Sequence, residues 1–108
     1  MPAMEVGRVK KLGRDIARGV QYLHGRNLLH RDIKPANILV TGEGAKLGDL
    51  GLVVDVDQVR SRAGTPNYWA PEIERKESYG LPADIFSLGV VLHEALSGVR
   101  PRAGQCEL

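Results

Sequence analysis

The string H-R-D-I-K-P-A-N, residues 30–37, constrains this chain more than any other stretch. It gathers an imidazole, a guanidinium, a carboxylate, an ammonium and a carboxamide between two apolar segments. Pro35 fixes its own φ and removes a backbone donor. The residue before a proline is biased toward extended backbone. A helix through the string is therefore disfavoured, and a rigid polar loop is expected. Such a loop, held by packed neighbours, fixes side chains at set angles, which suits chemistry better than packing.

The flanking elements follow from periodicity. Val9, Leu12, Ile16, Val20 and Leu23 recur at steps of three and four and predict an amphipathic helix over Val6–His24. Arg8, Lys10, Lys11, Arg14, Asp15 and Arg18 occupy its other face, which reads as solvated. Gly25 is expected to stop the helix in the left-handed conformation that glycine tolerates. After the loop, Ile38-Leu39-Val40 and Ala45-Lys46-Leu47 predict two short strands around the turn Thr41-Gly42-Glu43-Gly44. That hairpin has Asn37 at one end and Asp49 at the other. Adjacent strands bring a carboxamide and a carboxylate to one edge, a physical reason for a divalent cation there.

Residues 52–54 suggest one more short strand, and 55–63 a polar, mobile loop. Pro66 and Pro71 are expected to keep 64–72 irregular. A second helix is predicted over 82–97, with Pro82 in its first turn. It is apolar nearly all round, through Ile85, Phe86, Leu88, Val90, Val91, Leu92 and Leu96, and so is expected to be buried. Gly98 should end it, and 99–108 read as a connector.

Composition excludes several classes. With 108 residues, 43% of them hydrophobic and 26% charged, the chain is an ordinary small globular domain. A net charge of +2 is too small to argue for nucleic acid or a membrane surface. The single cysteine, Cys106, permits no intrachain disulfide and suggests a cytoplasmic or other reducing intracellular compartment. There is no apolar run of about 18 residues to span a membrane. His24, His30 and His93 show no metal-ligand spacing, and His93-Glu94 lacks the second histidine of H-E-x-x-H. Ser87 is not on a G-x-S-x-G elbow, and nothing supports acyl transfer.

The string 30–37 resembles the catalytic loop of eukaryotic protein kinases, H-R-D-L-x-x-x-N, with Ile33 in place of leucine. Two later motifs agree. Asp49-Leu50-Gly51 resembles D-F-G, and G-T-P-N-Y-W-A-P-E at 64–72 resembles the end of the activation segment. The resemblance implies an α+β fold: the mainly helical C-terminal lobe of a protein-kinase-like fold with short antiparallel strands. It implies a serine/threonine kinase that uses ATP and Mg²⁺ on protein substrates. Asp32 would be the base and Lys34 would stabilise the transferring phosphoryl group. Asn37 and Asp49 would hold the metal with its nucleotide, with Leu50 packed beneath the cleft near His30.

Further roles rest on the same resemblance. Thr65 would reach back to Asp32 and Lys34. Ser61 falls where relatives carry an activating phosphate, with Arg31 as its partner. Glu72 would pair with an arginine late in a full lobe. Asp84, in D-I-F-S-L-G, resembles the aspartate that anchors the catalytic-loop backbone. The family's upper-lobe motifs, a glycine-rich phosphate loop and a strand lysine, do not occur in the 108 residues. Residues 1–108 are therefore expected to be a partial, incomplete kinase domain that needs a missing or separate upper lobe and is inactive alone. The alternative is a non-catalytic module that docks to a kinase or a substrate through 64–72. Binding of Mg·ATP by the chain alone separates the two, and weak or no binding is expected.

Overall fold

The structure, a computed structural model, describes residues 3–42 and 44–98. The connector expected over 99–108, with Cys106, and turn residue Glu43 lie outside the described residues. Helix α1 spans Val6–His24. It buries Val9, Ile16, Val20 and Leu23 along the predicted stripe. Its C-terminus differs from expectation. Gly25 stays right-handed at φ −63°, and its N–H continues the helical bonding to Gln21 O. Asn27 takes the left-handed position at φ 61°. A further turn of backbone bonds, Arg26 N to Leu23 O and Asn27 N to His24 O, carries the chain past the glycine. Asn is one of the few residues with a side chain that visits that region readily.

Strand β1 (Leu28–Leu29) enters the polar loop and pairs antiparallel with β4 (Val54–Asp55). The strand expected at 52–54 is thus displaced. Leu50–Leu52 form a 3-10 turn, and pairing begins only at Val54. The stretch 55–63 is also more ordered than its polar composition suggests, since Val56–Gln58 form another 3-10 turn. The hairpin is β2 (Ile38–Thr41) against β3 (Gly44–Leu47), in register from Ile38↔Leu47 to Thr41↔Gly44. Asp15 of α1 fastens it by accepting from Ala45 N at 3.0 Å.

Helix α3 spans Leu81–Ser97, with Pro82 in its first turn and Gly98 left-handed at φ 79° after its end. It is not buried all round: Ile85 and Leu96 are 44% and 47% exposed. Helix α2 (Pro71–Glu74) and the 3-10 turn Pro66–Tyr68 replace the irregular backbone expected from the prolines. The reason is positional. Proline at the first helical position loses a donor that would be unpaired anyway.

One core joins these pieces. Ile16 and Val20 of α1, Ile33 of the loop, Tyr68, and Leu88, Val90 and Val91 of α3 are buried together. Gly13 lets α1 approach α3 closely, since a Cβ there would lie 3.1 Å from Leu92 Cδ2. No helix among the described residues is long and apolar enough to cross a membrane. Ile16 is fully buried at this junction. Ile16→Val is expected to lower stability by about 0.5–1.5 kcal/mol, read as a shifted urea midpoint at constant slope.

Candidate active site

The loop at 30–37 is held from below by one carboxylate. Asp84, in the first turn of α3, is 2% exposed. Its Oδ2 accepts from His30 N at 2.8 Å and its Oδ1 from Arg31 N at 3.0 Å. Oδ2 also accepts from His24 Nε2 at 2.9 Å. These bonds hold Arg31 in the left-handed conformation, φ 74°, which costs a side-chain-bearing residue of order 1–3 kcal/mol. His24 is a site residue that sequence reading passed over. Its signal was available only as a histidine at the end of a helix, which has no specific meaning until α3 is docked.

His30 is fully buried, and its ring bonds at both nitrogens. Nε2 donates to Gly48 O at 2.9 Å, and Nδ1 accepts from Asp32 N at 3.1 Å. The pair of bonds specifies the neutral tautomer with its proton on Nε2. It also ties the residue before Asp49 to the backbone of Asp32. Gly48 N completes the tie by donating to Asn37 O at 2.8 Å.

Above this base the polar groups converge. Thr65 Oγ1 donates to Asp32 Oδ1 at 3.0 Å and accepts from Lys34 Nζ at 2.8 Å. Lys34 Nζ lies 3.8 Å from Asp32 Oδ1. Asn37 Nδ2 donates to Asp32 O at 2.7 Å and to Asp32 Oδ2 at 3.0 Å. With its amide nitrogen so engaged, the carboxamide oxygen of Asn37 remains an acceptor. A carboxylate offers about four acceptor positions, and Asp32 uses two of them on side chains. The loop is not wholly irregular, because Pro35–Asn37 form a single 3-10 turn that aims Asn37 back at Asp32.

Asp49 is exposed and left-handed at φ 49°, with Oδ1 accepting from Gly51 N at 3.2 Å. Among the described residues no three His, Cys, Asp or Glu side chains form a metal cage. Gly64, at φ 92°, presses the following segment against the loop so closely that an added Cβ would lie 2.1 Å from Arg31 O.

A match to the family model "Protein kinase domain" covers residues 2–107. The chain belongs to the protein kinase domain family. Among curated relatives, it is 45% identical over 96 residues to serine/threonine-protein kinase sid1 of Schizosaccharomyces pombe, covering 83% of this chain and 20% of that protein. It is 38% identical over 104 residues to G protein-coupled receptor kinase 2 of Drosophila melanogaster, covering 93% of this chain and 15% of that protein. It is 50% identical over 94 residues to mitogen-activated protein kinase kinase kinase 1 of Arabidopsis thaliana, covering 82% and 16%. The chain thus spans a fifth or less of the length of these relatives.

One kinase-motif residue sits differently from expectation. Leu50 does not pack beneath a cleft near His30 but is 61% exposed. The left-handed Asp49 turns the chain outward there, and His30 contacts Gly48 instead. Glu72 lines an open groove of about 570 Å³ with Pro71, Arg75, Leu81, Ile85 and Phe86. At its rim a hydrogen bond from Arg75 holds the exposed Glu77 carboxyl below the usual carboxylate range.

Ser61 and Arg31 are linked indirectly. Arg31 Nε donates to Leu52 O at 2.8 Å, and Tyr79 Oη stands between Arg31 and the Ser61 carbonyl. Asp84→Asn in this kinase domain replaces one acceptor oxygen of the clamp with a donor. Stability is expected to fall by about 1.5–3 kcal/mol in urea unfolding. An unchanged midpoint would show that the loop is held by other bonds.

Proposed function

We propose that this chain is the lower-lobe part of a serine/threonine protein kinase, residues 1–108, and that the protein containing it transfers the γ-phosphoryl group of ATP to protein hydroxyls. One observation carries this reading. The side chains of Asp32, Lys34, Asn37 and Thr65 bond to one another across two separate segments, in the arrangement phosphoryl transfer needs. Such catalysis is positioning plus charge stabilisation, with little covalent work for the protein.

Asp32 has the geometry of a hydroxyl-orienting base. Thr65 and Asn37 fix both of its oxygens, leaving acceptor positions for an incoming hydroxyl. Lys34 keeps a positive charge beside the point where phosphoryl charge moves. The Thr65 hydroxyl joins acid and cation and fixes their separation, which supports a serine or threonine acceptor. The donor set fits Mg²⁺. It has one carboxamide oxygen, from Asn37, and one exposed carboxylate, from Asp49, and Mg²⁺ is usually held by one or two carboxylates plus substrate phosphates. When bound, Mg·ATP supplies the phosphoryl group and a cation that offsets its charge. Residues Asn37 and Asp49 would hold it at the hairpin edge.

The exposed apolar side chains favour a further part of the protein above this edge. Leu39 and Leu50 are each 61% exposed and Val40 is 52% exposed. Apolar patches of this kind mark surfaces that pack against something. An upper lobe, in the same chain or separate, would wall the nucleotide there. The groove beside Glu72 would take the remainder of the lower lobe. A protein substrate would lie along 64–72, and a reducing intracellular compartment suits such an enzyme. Arg31, joined to the Ser61 carbonyl through Tyr79 Oη, supports Ser61 as a phosphorylation-controlled residue, since a phosphate adds nearly two negative charges.

Asp32→Asn in the intact protein is expected to lower phosphotransfer by at least about 10²-fold, the scale of general-base catalysis. Turnover within threefold of wild type would overturn the assignment. Mass spectrometry of the active protein is expected to find phosphate on Ser61, and full activity with Ser61 unmodified would remove its regulatory role.

A further inference from the structure

Tyr79 has no part in the functional reading above, yet its hydroxyl connects three segments. It donates to Ser61 O at 2.7 Å and accepts from Arg31 Nη1 at 3.5 Å. A phenol has one proton to give and lone pairs to receive with, so both bonds form at once. Arg31 is anchored independently by its Nε bond to Leu52 O. Tyr79 itself packs on the cluster of Ala70, Ile73 and Ala83 at the start of α3. The phenol is thus a post set on α3's base, with the catalytic loop on one side and the segment at 61–65 on the other.

The other attachments of that segment lie further along. Trp69 Nε1 donates to Ala63 O at 2.7 Å, Gly64 abuts Arg31 O, and Thr65 bonds to Asp32 and Lys34. Ser61 is the outermost of these points. Upstream, Arg60 and Ser61 are exposed. Arg62 is also exposed and rests over the Trp69 ring, 5.0 Å from its centroid.

We propose that Tyr79 is a positioning residue for the protein substrate. It holds the segment at 61–65 against the catalytic loop through its hydroxyl, so the platform is set before any charge is added at Ser61. The contact uses the Ser61 carbonyl and not its hydroxyl. It is therefore independent of the side chain at 61, which is exposed. This rests on the kinase reading for its catalytic consequence but not for its structural one.

The test uses Tyr79→Phe, which keeps the ring in its cluster and deletes only the hydroxyl. In the intact protein the KM for a protein or peptide substrate is expected to rise about tenfold, the scale of a hydrogen bond to a charged group. The kcat and the KM for ATP should stay within twofold. The same split should persist in a Ser61→Ala background, where the carbonyl remains. An unchanged substrate KM overturns the proposal. So does an equal fall in kcat at both substrates, which a general structural role would give.

Amide exchange supplies a readout that needs no turnover. Exchange at 60–64 should accelerate about tenfold in Tyr79→Phe, with α1 and α3 unchanged. Unaltered exchange at 60–64 also overturns the proposal. If the intact protein shows no phosphotransfer at all, the kinase reading fails, and the exchange result alone decides whether Tyr79 holds the segment.

Discussion

The carboxylate of Asp84 is the constraint on which the site depends. A buried ionised group is tolerated only when its oxygens are well supplied with donors. Here the donors are two successive backbone amides of the loop at 30–37 and one histidine from the end of α1. The same bonds that make burial of the charge acceptable force Arg31 into a left-handed conformation. That turn sends the Arg31 side chain toward the segment at 52–79 and the Asp32 side chain toward Asn37, Lys34 and Thr65. Charge burial, backbone strain and side-chain aim are one arrangement.

Built on that base, the site is a stack of short hydrogen-bonded ties between segments distant in sequence. His30 joins the loop to Gly48, Thr65 joins it to the segment before Tyr68, and β1 pairs with β4 alongside. None of these segments is long enough to be stable alone. Two-residue strands and single 3-10 turns contribute little cooperative bonding of their own. Their order comes from the packed junction of α1 and α3, where Ile33 carries the loop into the core. The site is positioned by helices and built from loops, which is how a rigid scaffold presents chemistry.

The departures from sequence expectation share one cause. Proline was read as a breaker at 66 and 71, yet each starts a short helical turn, because the effect of proline depends on its place in the turn. Gly25 was read as a left-handed stop, yet Asn27 takes that role, because backbone bonds past the helix end were not legible in side chains. Leu50 was read as packed, but the left-handed Asp49 leaves it in solvent. Each rule was sound locally, and the neighbours chose among its outcomes.

Sequence alone determined the two long helices, the β2–β3 hairpin and the family. Periodicity and motif spacing are local properties, and each is repeated often enough in 108 residues to be read without coordinates. Tertiary structure alone decided that His24 meets Asp84 and that Tyr79 spans Arg31 and Ser61. These partners are separated by 60, 48 and 18 residues. A hydrogen bond depends on direction and on tenths of an ångström. Those quantities exist only after the helices have packed and brought the loops together.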